Sequence, residues 1–134
     1  MTTTPDVTRR HRALIVEDDP AIRRLVGKLL QRRGIDIDIA NDGKQAIEKI
    51  RGGGYSVLIL DLMVPEVNGF EIIDFVRKNS IATPVAVVSA VSHQALTKLD
   101  TQIVKLVISK PFDVEEFTSK IVALCCGLEA PSSQ

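Results

Sequence analysis

The sequence predicts a doubly wound α/β domain built on a five-stranded parallel sheet. Three features point to it: apolar runs too short to be helices, amphipathic segments with helical spacing between them, and caps or glycines at nearly every junction. Strands separated by helices must pair in parallel, because each crossover returns the chain to the same end of the sheet with a right-handed connection.

The run Ala13-Leu14-Ile15-Val16 ends in acids and suits a central strand buried on both faces. Asp19-Pro20 supplies an N-cap and a first-turn proline, and Ile22, Leu25, Val26, Leu29 and Leu30 form one helical stripe up to Gly34. Ile35, Ile37 and Ile39 alternate with Asp36 and Asp38 as in an edge strand. Asn41-Asp42 then opens a short helix carrying Ala46, Ile47 and Ile50, which stops at Gly52-Gly53-Gly54. Residues 56–60 form a third strand ending at Asp61, and a loop over 62–69 leads to a helix over 70–78. The fourth strand covers 84–88 and ends at Ser89.

A fourth helix is expected from 92 to roughly 101, resting on few apolar positions, Ala95, Leu96 and Leu99. The fifth strand follows at 104–108. Asp113 and Glu116 have capping-box spacing, and Val114, Phe117, Ile121, Leu124 and Cys125 make the stripe of a last helix. Residues 1–11 and 128–134 read as disordered tails around one domain, 12–127.

A chain of 134 residues with 45% hydrophobic and 25% charged residues has the composition of one folded domain. Seventeen basic residues balance seventeen acidic ones, so no net field gathers nucleic acid, and direct nucleic-acid binding is not expected. The basic run Arg23, Arg24, Lys28, Arg32 and Arg33 reads as a solvated face. Adjacent Cys125 and Cys126 give neither a disulfide framework nor a metal-ligand spacing. No apolar run approaches the ~20 residues of a membrane span, and a cytoplasmic protein with no membrane partner is expected. His11 and His93 are expected to be exposed, and Met63 and Phe70 to pack.

The loops that build sites on open parallel sheets leave the carboxyl ends of the strands. At those ends stand Asp18 and Asp19, Asp61, Ser89 and Lys110. Three carboxylates brought together repel one another, and Lys110 offsets only part of that charge. A small hard cation with oxygen ligands, Mg2+, would meet the remainder and suit a phosphate site. Asp61 is placed to attack phosphorus and form an acyl phosphate, with Lys110 and Ser89 gripping the transferred oxygens.

Four motifs in order, Glu17-Asp18-Asp19, Asp61-Leu62-Met63-Val64-Pro65 with Asn68-Gly69, Val88-Ser89-Ala90 and Lys110-Pro111-Phe112, resemble the receiver family of two-component response regulators. The resemblance spans 12–127. It implies a flavodoxin-like strand order 2-1-3-4-5, Asp61 as phospho-acceptor and a cis Lys110-Pro111 bond. It implies Mg2+ as cofactor, with Mn2+ an acceptable substitute, held directly by Asp19 and Asp61 and the backbone carbonyl of Met63, with Asp18 acting largely through water. A histidine kinase or phosphotransfer protein is the implied donor. The implied output is a changed face of the fourth helix, fifth strand and last helix, read by a downstream protein or by an effector domain outside these residues. Such a protein is not an enzyme beyond its own phosphoryl transfer and dephosphorylation. A dehalogenase-type phosphatase would want a second Asp where Met63 stands.

One position departs from the family pattern: Val107 occupies the place, three residues before the lysine, where receivers commonly carry a switching aromatic. The stretch before the fifth strand also lacks the usual small-residue turn, so a shorter or repositioned fourth helix is expected. The alternative reading is therefore a receiver-like protein-interaction module with weak or absent phospho-switching.

Overall fold

The structure is a computed structural model and describes residues 11–64, 66–90 and 93–126. Strands and helices alternate as β1 (Arg12–Val16), α1 (Pro20–Arg32), β2 (Asp36–Ala40), α2 (Gly43–Gly52), β3 (Val57–Leu60), α3 (Gly69–Lys78), β4 (Val85–Ser89), α4 (His93–Leu96), β5 (Val104–Ser109) and α5 (Val114–Cys125). The five strands form one parallel sheet in the order β2-β1-β3-β4-β5, as the resemblance to the receiver family implies.

The winding reverses between β1 and β3, the first two strands to diverge in opposite directions across the sheet. Val16 pairs with Leu60 there, and the Asp61 N–H donates to the Val16 carbonyl at 3.0 Å. The residues just after each strand, Glu17 with Asp18 and Asp61, are thus brought side by side at the switch point, where open α/β sheets place ligands.

Alternation along the strands divides the core in two. Leu14, Val16, Leu58, Leu60 and Val87 pack on the side of α2 and α3 against Ala46, Ile50, Ile72 and Val76. Ala13, Ile15, Val57, Ile59 and Val88 pack on the side of α1 and α5 against Val26, Leu30, Phe117 and Ile121. Near-complete burial of these apolar side chains is the main stabilising term of the fold.

β5 breaks the alternation. Val85 pairs with Val104 but Ala86 with Leu106, so Lys105 is an extra residue in the ladder. The bulge flips the strand: Val104 joins one core layer and Leu106 the other. Val107, opposite Val87, consequently faces the α2 and α3 side, where it is 42% exposed.

Helix starts follow their caps. Asp19 accepts from Ala21 N–H at 2.9 Å, Asp42 from Gln45 N–H at 2.9 Å, and Asp113 from Glu115 and Glu116 N–H at 2.9 and 3.0 Å. The full reciprocal capping box lies at α3, where Asn68 and Glu71 bond each other's backbone N–H at 3.0 and 3.1 Å. Glu116, expected to complete such a box with Asp113, instead pairs with Lys120 at 3.0 Å.

Several expectations are corrected. α4 is a single turn, not a helix from 92 to 101, and Ser92 lies outside the described residues. Local partners compete with the helix there: Thr97 Oγ1 donates to the Gln94 carbonyl at 2.7 Å, and Asp100 Oδ1 accepts from Gln102 N–H at 2.9 Å. Met63 is 66% exposed and Phe70 38%, so neither is a core residue. Both sit on the rim where β3 hands over to α3. His11 is half-buried and bonds Ser56 Oγ through Nδ1 at 3.2 Å, which ties it to the domain. The expected tails at 1–10 and 128–134 lie outside the described residues, as does the His93 side chain. Among the described residues, no helix is long and apolar enough to cross a membrane.

Two α2 glycines separate packing from helix propensity. A Cβ on Gly43 would stand 1.6 Å from the Val67 carbonyl oxygen, whereas a Cβ on Gly52 meets nothing within 4 Å. Gly43→Ala is expected to lower unfolding free energy by about 2 kcal/mol or more, and Gly52→Ala to raise it by about 0.5 kcal/mol. Urea denaturation of both variants checks this, and equal effects would contradict the packing.

Candidate functional site

Each site residue sits where a strand ends. β1 delivers Glu17 and Asp18, β3 delivers Asp61, β4 ends on Ser89, and Lys110 follows β5. The register carries the last two together: Ser89 pairs with Ser109, and Lys110 N–H donates to the Ser89 carbonyl at 3.0 Å. The Lys110-Pro111 peptide is cis.

The Asp61 carboxylate is buried and held at both oxygens. Oδ1 accepts from Met63 N–H at 3.0 Å and from Ser89 Oγ at 3.3 Å, and Oδ2 accepts from the Lys110 ammonium at 3.1 Å. Lys110 also donates to Glu17 Oε1 at 2.9 Å. One ammonium therefore bridges two buried carboxylates brought in from residues 93 and 49 positions away.

Charge is unequally satisfied in this cluster. Burial lifts the Glu17 carboxyl above its ordinary value, against the opposing bond from Lys110. Burial alone would weaken the Lys110 ammonium, but hydrogen bonds and charge from Glu17 and Asp61 outweigh it and hold its pKa above the ordinary lysine value.

Glu17, Asp18 and Asp61 each offer an oxygen within 4.8 Å of the others. Of these, the Asp18 carboxylate alone takes no hydrogen bond or ion pair among the described residues, and Asp18 is exposed at the rim. Three carboxylates against one ammonium form an oxygen-only donor set with excess negative charge, the chemistry that suits a hard divalent cation.

Asp19, expected as a ligand, lies outside this group. It is the N-cap of α1, and its Oδ1 accepts from Ala21 and Ile22 N–H at 2.9 and 3.4 Å. Pro20 commits the chain to the helix one residue later, so the Asp19 carboxylate turns back over the first helical turn. The acids that gather are those one position earlier. Glu17 stands in the acid motif of the sequence without a site role of its own there; its signal is its place immediately after the apolar run of β1, the strand that pairs with β3.

Comparisons with known proteins agree with the geometry. The family described as response regulator receiver domain matches residues 13–122. Response regulator ArlR of Staphylococcus saprophyticus is 36% identical over 113 residues, 83% of this chain and 50% of that protein. Transcriptional regulatory protein TrcR of Mycobacterium tuberculosis is 36% identical over 128 residues, 92% of this chain and 49% of that protein. The chain thus spans about half the length of these relatives. Among solved structures, the Francisella response regulator 1452 receiver domain has a TM-score of 0.82 at 28% identity, covering 88% of this chain and 98% of that one. Response regulator TrrA of Thermotoga maritima, solved in complex with Mg(2+)-BeF, has a TM-score of 0.76 at 32% identity, covering 85% of this chain and 98% of that one.

Removing the bridging ammonium should leave two buried carboxylates facing each other. Lys110→Ala is expected to cost about 1–3 kcal/mol of stability, with part recovered by adding Glu17→Gln. Urea unfolding of the single and double variants measures this, and an unchanged midpoint in Lys110→Ala would show that the bridge is not formed.

Proposed function

The chain belongs to the response regulator receiver family of two-component signalling, and on that premise we propose that it is a phosphorylation-dependent switch whose acceptor is Asp61. The observation that carries this reading is the Asp61 carboxylate itself: buried, oriented by donors at both oxygens, and adjacent to the Asp18 carboxylate, which has no partner among the described residues.

In this reading a histidine kinase or phosphotransfer protein presents a phosphohistidine at the rim. An Asp61 oxygen attacks phosphorus, the P–N bond of the donor breaks, and the departing imidazole keeps the electron pair. Lys110 and Ser89 flank the two Asp61 oxygens and can each turn a donor to the arriving phosphoryl oxygens. The carboxylates of Asp18 and Asp61 with the Met63 carbonyl would hold Mg2+, or Mn2+ on the same oxygen ligands. When bound, the cation neutralises charge on the phosphoryl oxygens. Glu17 keeps Lys110 in place at the back of the pocket.

Ser89 ends β4 just before the turn toward α4, so a hydroxyl drawn to the phosphoryl group would pull on the face made by α4, β5 and α5. Val107 offers no aromatic ring to follow it, so in this reading the relay runs through the Ser89 backbone and α4. The exposure of Val107 also supports the second reading, an interaction module that responds weakly to phosphorylation. Output to a downstream protein or an effector domain and a cytoplasmic location complete the proposal. No turnover of an external substrate is part of it.

Acetyl phosphate with Mg2+ is expected to add one hydroxylamine-labile phosphoryl group by intact mass, and none in Asp61→Asn or in the presence of EDTA. Labelling that persists in Asp61→Asn would refute the assignment. Amide spectra with Mg2+ and beryllofluoride separate the two readings: shifts reaching α4 and β5 support the switch, and shifts confined to the pocket support the interaction module.

A further inference from the structure

Arg23 lies in the first turns of α1, and its Nη1 donates to the carbonyl oxygens of Glu17 at 3.2 Å and of Asp18 at 3.4 Å. These two residues supply two of the three clustered carboxylates. The rest of the acid segment is held as well. Glu17 N–H donates to the Ala40 carbonyl at 3.3 Å, Asp19 N–H to Glu17 Oε2 at 3.2 Å, and the Asp19 carbonyl accepts from Arg23 N–H at 2.9 Å.

We propose that Arg23 is a positioning residue for the cation site, holding the backbone of Glu17 and Asp18 so that the Asp18 carboxylate is aimed toward Asp61 before a cation arrives. The inference rests on the receiver reading of the pocket. Arg23 bonds only main-chain oxygens of this segment, leaving the Asp18 carboxylate unspent. A planar guanidinium can reach both carbonyls at once, and it is half-buried against the loop. Without it the turn from strand to helix across the exposed Asp18 and Asp19 would rest on the Glu17 N–H, the Asp19 N–H and the Asp19 cap, none of which bonds the Asp18 backbone. Groups that orient metal ligands in this way set affinity by sparing the site the cost of ordering them.

Positioning and charge predict opposite signs. A guanidinium near a cation site opposes binding by repulsion, so if charge were its main effect, removing it would tighten Mg2+ binding. If it positions Asp18, Arg23→Ala should weaken Mg2+ binding by about tenfold, and Arg23→Lys, which keeps a donor and the charge on a stem of similar reach, should restore most of it.

The test is calorimetric titration of Mg2+ into the wild-type protein and both variants, with amide hydrogen exchange at Asp18 and Asp19 measured without metal. Expected are weaker binding and faster exchange in Arg23→Ala, both reversed in Arg23→Lys. Unchanged or tighter binding in Arg23→Ala, or unchanged exchange, would overturn the proposal. Should Arg23→Ala fail to fold, Arg23→Met carries the same comparison with the apolar stem retained. A wild-type protein that binds no Mg2+ would refute the receiver reading instead, and the metal-free exchange would still decide the role of Arg23.

Discussion

The Lys110 ammonium, held between Glu17 and Asp61, is the interaction on which the rest of the site depends. Two carboxylates buried together would otherwise repel, and neither could remain ionised at low cost. The bridge is possible only because β1, β3 and β5 are drawn into one parallel sheet with their carboxyl ends on the same edge. Fold and site are therefore one problem: the sheet brings the acids together, and the lysine makes their proximity tolerable.

That solution is partial by construction. One ammonium neutralises one of three carboxylates, and the Asp18 carboxylate is left at the exposed rim without a partner among the described residues. A fully compensated cluster would be a structural ion-pair network with no reason to bind anything. Under the proposed function, the surplus negative charge at the rim, set against a buried and oriented Asp61, would give a cation and a phosphoryl group their place. Arg23 acts on the main chain of the same segment and adds no bond to the carboxylates that would consume that surplus.

Much of this was legible in the sequence, because it depends on periodicity and on strand ends. Unbroken apolar runs located β1, β3 and β4, the alternating Ile35, Ile37 and Ile39 located the edge strand, and the residue after each run marked the rim. Legibility failed where a single residue of register or a local bond decides. Asp18 and Asp19 are chemically alike, and only the geometry of the α1 cap separates the one that faces the pocket from the one that serves the helix. Asn68 and Glu71 formed the capping box that Asp113 and Glu116 only suggested, because Lys120 offered Glu116 another partner one turn on. The bulge at Lys105, which turns Val107 to the α2 and α3 side of the sheet, leaves no mark in an apolar pattern. α4 shrank to one turn because Thr97 and Asp100 satisfy nearby backbone groups themselves.

The central claim is that a cation gap lies between Asp18 and Asp61, with Lys110 and Glu17 behind it. A crystal grown with Mn2+ and measured for anomalous scattering tests this most directly. The account predicts one strong peak in contact with the Asp18 and Asp61 carboxylates and clear of Asp19. A peak against the Asp19 carboxylate, or none in the pocket at saturating Mn2+, would contradict it.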